Sequence, residues 1–303
     1  MIHLLDIDSL TANDVSRILN LADDPSPFPV LAGRGAALLF EKPSARTRSA
    51  LEMAVVQLGG HPIYISASEV GLDERESVED VTRVLAGYNA VIGARVFDHR
   101  ILERMVAVSG VPVVNLLSDR AHPTQALADL LTMRAEFGQL EGLTLGYVGD
   151  ANNVARSLAL AAGLSGVAVR VASPRGYGFS ESDLRDLRRH GCEPVQVTNP
   201  REAVGGADVV YTDAWTSMGQ ETQAEQRRRD FAGFTVNRAL MSDAADSAVF
   251  MHCLPAHRGE EVEAAVIDGP RSRVWPQAAN RMHAARALLM WLSSHDEDAR
   301  SQP

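Results

Sequence analysis

The stretch AALLFEKPSARTRSALEMAVVQLGGHPIYI, residues 36–65, contains the pattern that decides the fold. A short apolar run, Ala36–Phe40, is followed by a helical pattern from Arg46 to Leu58 and by a second apolar run, Pro62–Ile65. Apolar residues recur at helical spacing inside the middle segment, and two consecutive glycines end it. The order strand, helix, strand predicts a βαβ unit with two parallel strands.

The same alternation of apolar runs and helical patterns continues along the whole chain. Further runs predicted as strands are Ala90–Ala94, Pro112–Leu116, Leu143–Val148, Val167–Ala172, Pro194–Val197, Asp208–Tyr211 and Val249–His252. A long helical pattern begins at Pro123, and the strand series restarts after Glu141. We therefore predict two doubly wound parallel-sheet α/β domains joined by long helices, residues 1–137 and 138–275, with a final helix over 276–303.

Composition narrows the classes of function and the compartment. The 303 residues include 29 Lys+Arg and 39 Asp+Glu, and the resulting net charge of −10 argues against nucleic acid or anionic membranes as partners. The densest basic run, Arg227-Arg228-Arg229, is predicted to be a solvent-exposed face. With two cysteines there is no disulfide framework, no apolar run is long enough to span a bilayer, and no signal peptide is recognised. We therefore expect a cytoplasmic protein.

Three polar clusters follow predicted strands in the first half of the chain. The sequence SARTR, residues 44–48, opens a helix, where unpaired N–H groups and basic side chains favour an anion such as phosphate; a nearby carboxylate is the alternative partner of the arginines. Arg95 ends a strand, which is also where an ordinary surface arginine occurs. His122 and Gln125 flank Pro123 at a helix start and are suited to a carbonyl and an amide, or to a simple cap with an exposed Gln.

Three more clusters follow strands in the second half. The sequence GDANN, residues 149–153, is not a G-x-G-x-x-G loop, so no nicotinamide site is predicted, and its asparagines are suited to satisfying backbone groups. A second cluster covers 213–219. In the third, His252 and Cys253 are expected to point to opposite faces of an extended chain, so no metal site is predicted. Cys253 fits an inert core cysteine better than a nucleophile, because no base is recognised beside it.

Together these motifs resemble those of ornithine carbamoyltransferases. The resemblance runs in order from about Leu10 to Leu292, through F-E-K-P-S-A-R-T-R, H-P-T-Q-A-L-A-D-L, D-A-W-T-S-M-G-Q-E and H-C-L-P-A-H-R-G-E-E. The S-M-G and H-C-L-P segments are the specific part. Aspartate carbamoyltransferases share the first motif and H-P-x-Q but differ at both later sites, and putrescine carbamoyltransferases differ at S-M-G.

The resemblance implies a reaction without cofactor or metal. The carbamoyl group of carbamoyl phosphate would pass to the δ-amino group of L-ornithine, giving L-citrulline and phosphate, in arginine biosynthesis or, in reverse, in its catabolism. It also implies a homotrimer with active sites near subunit interfaces. The alternatives are a carbamoyltransferase for another amine, such as an acylated ornithine, and a non-catalytic anion-binding regulatory paralogue.

The resemblance also implies roles for individual residues. Carbamoyl phosphate would be bound by Ser44, Ala45, Arg46, Thr47, Arg95, His122, Gln125, Cys253, Leu254 and Arg281, the last from the final helix, which would pack back on the first domain. Ornithine would be bound by Asn153, Asp213, Ser217 and Met218. The catalytic residues would be Arg95, His122, Asp213 and Cys253.

Two positions depart from the usual family pattern. Ala45 replaces the first Thr of S-T-R-T-R, which removes one hydroxyl from the predicted phosphate site and lowers the expected affinity. Gly71 stands where an ungapped placement puts a Gln that reaches the phosphate of a neighbouring subunit. Glu74 or Arg75 could replace it, or the placement could shift by a residue or two.

Overall fold

The computed structural model describes residues 1–216 and 221–300. The chain forms two compact units, the first comprising Met1–Leu131 with Ala279–Pro303 and the second Thr132–Ala278. Each unit is built on its own parallel sheet.

The first unit contains a four-stranded sheet. Its strands are β1 (Gly35–Phe40), β2 (His61–Ser66), β3 (Asn89–Arg95) and β4 (Val113–Leu117), in the order β2-β1-β3-β4. Its helices are α1 (Ala12–Ala22), α2 (Ala45–Gln57), α3 (Ala67–Val70), α4 (Val78–Tyr88), α5 (His99–Val108), the first part of α6 (Pro123–Phe137), most of α13 (Val274–Arg300) and a short 3-10 helix at Ile7–Ser9. Every residue of β3 is buried, as expected for a central strand of a parallel sheet covered on both faces.

The second unit contains a five-stranded sheet. Its strands are β5 (Thr144–Val148), β6 (Ala168–Ala172), β7 (Val195–Val197), β8 (Val209–Thr212) and β9 (Val249–His252), in the order β7-β6-β5-β8-β9. Its helices are α7 (Asn153–Leu164), α8 (Glu181–Arg189), α9 (Pro200–Val204), α10 (Ala224–Asp230), α11 (Arg238–Met241), α12 (Ala264–Ile267) and a 3-10 turn at Glu221–Gln223. An aromatic cluster of Trp215, Phe231, Phe234 and Phe250 lies in its core.

The predicted fold class is confirmed. All the predicted strands are present and pair in parallel, with differences only at their ends. The boundaries between the two compact units fall inside α6 and α13. The domain limits inferred from the sequence, 1–137 and 138–275, lie near the ends of the same helices and stay a prediction.

The stretch 36–65 folds as its pattern indicates. β1 pairs with β2 from Gly35 opposite His61 to Phe40 opposite Ser66, and α2 connects the two strands. Ser44 caps α2, because its side chain accepts a hydrogen bond from the Thr47 N–H group at 3.3 Å.

Local stereochemistry also favours the start of α6. α6 begins at Pro123, the first helical position that suits proline, and α13 begins at Val274, before the predicted limit of 276.

Over the described ranges, no helix combines the length and apolar character needed to cross a membrane.

Candidate active site

The carboxyl end of each parallel sheet carries the predicted polar clusters. In such sheets all strands end at the same edge, so the residues that follow them lie close together. In the first unit a buried group, named here the first-unit cluster, consists of Thr47, Arg95, His122, Gln125 and Arg281. Their side chains come from α2, β3, the residue before α6, α6 itself and α13.

Two arginines of the first-unit cluster converge on one hydroxyl group. Arg95 donates a hydrogen bond to Thr47 Oγ1 at 3.5 Å, and Arg281 donates to the same oxygen. Both arginines are more than nine-tenths buried, at 7% and 8% exposure. Positive charges held away from water favour an anion beside them.

His122 is neutral in this environment. Burial, followed by the positive charges of Arg281 and Arg95, holds the pKa of His122 well below its ordinary value. A neutral imidazole keeps one N–H donor and one lone pair. It can therefore donate a hydrogen bond to a carbonyl oxygen without adding a charge to the two arginines.

Gln125 is buried at 1% exposure, so the alternative of an exposed Gln beside a capping His is wrong. Its amide nitrogen donates to Asp129 Oδ1 at 2.8 Å. His122 does hold the cap position, because its backbone carbonyl accepts from the N–H groups of Gln125 and Ala126.

The two arginines of the SARTR segment, Arg46 and Arg48, have different surroundings. Arg48 forms an ion pair with Glu52 at 2.7 Å and lies over the Tyr64 ring at 3.7 Å, so the carboxylate alternative holds for this arginine. Arg46 and Ala45 are exposed, and no ion pair of Arg46 is found in the part of the chain that is described. Arg46 is thus the arginine of this segment that remains for an external anion.

Gly71 occupies a position that favours glycine. It ends α3 in the left-handed region at φ 65°, and its carbonyl accepts from the N–H groups of Glu74, Arg75 and Glu76. A Cβ atom at this position would lie 2.9 Å from the Cβ of Arg75. The backbone conformation therefore explains why glycine occupies this position, independently of any phosphate contact.

In the second unit, Asp213 connects three loops at the carboxyl edge of the sheet. After β8, its Oδ2 accepts from Asn152 Nδ2 at 3.0 Å, and its Oδ1 accepts from the Cys253 thiol at 3.0 Å. The first loop follows β5 and the last follows β9. We call Asp213, Cys253 and Asn152 the second-unit cluster.

Cys253 lies at the edge of the sheet rather than in the apolar core that its strand led us to expect. It is half-buried and bonded to a carboxylate at the sheet edge. Asn152, which the sequence did not single out from its neighbour, caps α7 and also contacts Asp213. The predicted ligand Asn153 is the first residue of α7 and is half-buried.

The expectation that His252 and Cys253 diverge is wrong. Their ligand atoms and that of Asp213 lie within 4.8 Å of one another. β9 ends at His252, so Cys253 no longer belongs to the regular extended strand. His252 nevertheless has both ring nitrogens engaged, since Nδ1 accepts from the Leu254 N–H at 2.9 Å and Nε2 lies 3.3 Å from Glu261.

The prediction that Arg227 belongs to an exposed basic face is wrong. It is buried at 6% exposure, forms an ion pair with Asp150 at 2.6 Å and donates to the Trp215 carbonyl at 2.8 Å. Arg228 and Arg229 are exposed, as predicted.

Two predicted ornithine ligands, Ser217 and Met218, lie outside the described residues.

Comparisons with known proteins identify the family of the chain. Residues 2–135 match the family model described as "Aspartate/ornithine carbamoyltransferase, carbamoyl-P binding domain", and residues 141–292 match "Aspartate/ornithine carbamoyltransferase, Asp/Orn binding domain". An ornithine carbamoyltransferase of Thermus thermophilus is 48% identical over 293 residues, which cover 95% of this chain and 96% of that protein. An anabolic ornithine carbamoyltransferase of Pyrococcus furiosus is 44% identical and covers 94% of each chain.

A solved structure gives the same relationship. The crystal structure of an anabolic ornithine carbamoyltransferase from Campylobacter jejuni superposes with a TM-score of 0.92 at 31% identity, covering 97% of this chain and 100% of that one. The two family models follow one another along the chain as the two parallel-sheet units do. This chain therefore belongs to the aspartate/ornithine carbamoyltransferase family.

Proposed function

We propose that the protein transfers the carbamoyl group of carbamoyl phosphate to the δ-amino group of L-ornithine, giving L-citrulline and phosphate. The observation that carries the proposal is the first-unit cluster, in which two buried arginines converge on Thr47 beside a neutral His122. This arrangement suits a phosphate joined to a carbonyl group. The relatives named ornithine carbamoyltransferase support ornithine, rather than aspartate, as the acceptor.

The proposed carbamoyl phosphate site uses the first unit. Ser44, the backbone N–H of Ala45, Arg46, Thr47 and Arg281 would hold the phosphate. Arg95 and His122 would donate to the carbonyl and bridging oxygens, and Gln125 would accept from the carbamoyl nitrogen. The helix N-terminus at Ala45 adds backbone donors and a partial positive charge to this site.

The proposed ornithine site uses the second unit. Asp213 and Cys253 would lie near the δ-amino group, and Asn153, Ser217 and Met218 would orient the α-carboxylate and α-amino groups. The Leu254 carbonyl would accept from the carbamoyl group. Asn152 holds Asp213 at 3.0 Å and so fixes the carboxylate that faces the amine.

The reaction proposed for these residues needs no covalent enzyme intermediate. The δ-ammonium group first loses a proton, and the neutral amine then forms a C–N bond to the carbamoyl carbon. The tetrahedral intermediate then breaks its C–O bond, and the second proton of the attacking nitrogen leaves with the phosphate. Arg95, Arg281 and neutral His122 stabilise the negative charge that develops on oxygen, usually a large contribution in acyl-type transfer.

The test is citrulline formation by the purified protein from carbamoyl phosphate and L-ornithine, with putrescine, aspartate and N-acetylornithine in parallel. We expect turnover with L-ornithine alone. Turnover with N-acetylornithine instead would favour the acylated-ornithine alternative. A folded protein that binds phosphate but is silent with every amine would favour the regulatory paralogue and overturn the proposal.

We further propose that the protein acts in the cytoplasm as a homotrimer, without a metal or organic cofactor. The low cysteine count, two in 303 residues, supports a reducing compartment. The trimer follows from the family resemblance and is tested by the mass measurement given in the Discussion.

A further inference from the structure

The side-chain amide of Gln125 has a hydrogen-bond partner at its nitrogen but none at its oxygen within the described ranges. Its Nε2 donates to Asp129 Oδ1 at 2.8 Å, four residues further along α6. Its Oε1 is fully buried and has no hydrogen-bond partner within the described ranges. Gln125 is 1% exposed and Asp129 is 0% exposed, so water does not complete the pair from outside. A buried acceptor without a partner points to a ligand that supplies a donor.

Asp129 determines that the oxygen of the Gln125 amide, and not its nitrogen, lacks a partner. Asp129 Oδ1 accepts the hydrogen bond from the NH₂ end of Gln125, the only end of this amide that can donate. If the amide turned over, Gln125 Oε1 would face Asp129 Oδ1, and two buried acceptors would meet without a proton between them. The amide orientation of Gln125 thus follows from the chemistry of its neighbour.

We propose that Asp129 is a positioning residue that holds the Gln125 oxygen toward the carbamoyl nitrogen and thereby selects donors that carry N–H at that position. The inference rests on the proposed function and deepens it to donor specificity. A carbamoyl NH₂ group donates to Gln125 Oε1, whereas the methyl group of an acyl phosphate of the same size leaves this buried oxygen unpaired. A site built to bond an N–H group rejects the analogue that lacks it.

The test compares two stable phosphonates that differ only at the atom in question. Phosphonoacetamide carries NH₂ next to its carbonyl, and 2-oxopropylphosphonate carries CH₃. Calorimetric titration gives their affinities, and that of inorganic phosphate, for the intact protein and for Asp129→Asn. The side chain of Asn donates as well as accepts, so this nearly isosteric variant allows Gln125 both orientations.

For the unaltered protein we expect the amide to bind about tenfold more tightly than the ketone, and in Asp129→Asn we expect this preference to fall by about fivefold or more. Inorganic phosphate affinity stays unchanged. In a Gln125→Ala background the same Asp129→Asn change has no effect on the preference, because Asp129 acts through Gln125. Asp129→Ser, which is smaller, carries the same prediction if Asp129→Asn does not fold.

The matched control is Asp6→Asn, which changes another buried aspartate of the first unit, one that bonds the Ile7 N–H group at 2.8 Å. It should leave the amide preference intact. An undiminished preference in Asp129→Asn, or an equal loss for amide, ketone and phosphate, would overturn the positioning role. If the unaltered protein makes citrulline but shows no amide preference, the inference alone fails. If it neither makes citrulline nor binds the amide, the proposed function fails with it.

Discussion

The charge state of His122 is set by the residues packed around this one side chain. Its pKa is held below the ordinary value of 6.5 by burial first and by Arg281 and Arg95 second. The folded protein therefore binds this proton less readily than the unfolded chain does. The stabilisation associated with neutral His122 is complete above pH 6.5 and is lost as the pH falls below that value.

We predict that His122→Gln flattens the fall in unfolding free energy between pH 6.5 and pH 5. Gln cannot take up the proton that destabilises the folded protein at low pH. Urea unfolding at pH 7.5, 6.5 and 5.5 measures the slope for both proteins. His99 and His283, whose pKa values are also lowered by burial, keep the remaining slope in the variant. An unchanged slope in His122→Gln would contradict a depressed pKa at this residue.

The left-handed backbone conformation at position 71 is predicted to favour glycine over other residues. We expect Gly71→Gln to lower the free energy of unfolding by about 1–2 kcal/mol, because φ 65° is unfavourable for a residue with a Cβ atom. Gly71→Asn should cost less, since Asn tolerates the left-handed region better. Denaturant unfolding at one fixed protein concentration compares the three proteins. A stabilised Gly71→Gln protein with higher phosphate affinity would instead support the ungapped family placement.

At the level of elements, the loops of the second unit are tied together by buried polar contacts. Asp213 bonds to the loops after β5 and β9, and Arg227 of α10 bonds to Asp150 and to the Trp215 carbonyl. Burial raises the pKa of Asp150, and the Arg227 guanidinium partly offsets that effect. Arg227 therefore connects the loop after β5 with the chain that follows β8 at Trp215.

We predict that Arg227→Met lowers the free energy of unfolding by about 3–5 kcal/mol, because it leaves the buried Asp150 carboxylate without its partner. Arg227→Met with Asp150→Asn should recover part of that loss. The matched control is Arg229→Met in the same basic run, expected to change stability by less than about 0.5 kcal/mol because Arg229 is exposed.

The same variant has a kinetic signature. In Arg227→Met, at a temperature where it is folded, KM for ornithine should rise more than KM for carbamoyl phosphate, because the disturbed contacts belong to the second unit. Equal changes in both constants would indicate a general loss of structure. Arg229→Met should change neither.

At the scale of the whole molecule, the first unit leaves apolar side chains uncovered. Met53 and Val56 of α2 and Val84 and Tyr88 of α4 are between 47% and 76% exposed. These exposed side chains are available for a contact with another copy of the chain, and the family resemblance implies a trimer. We predict by light scattering a mass three times the 32.7 kDa of the chain. A mass of one chain, unchanged on concentration, would contradict the trimer.

Much of the fold could be predicted from the sequence because it depends on neighbours within a few residues. The alternation of apolar runs predicted the strands of both sheets, helical spacing predicted α2, and Pro123 marked the start of α6. The polar residues after those strands were predicted as the site. Burial of Arg227 could not be predicted, because its partner Asp150 lies 77 residues away.

By itself, therefore, the sequence determined the order of strands and helices, the extent of α2, the start of α6, and the family, because backbone stereochemistry and hydrophobic spacing act locally. Only the tertiary structure decided that Cys253 meets Asp213 and that His122 is neutral. Those properties depend on which distant side chains are packed together and on how completely they are removed from water, and no local pattern specifies either.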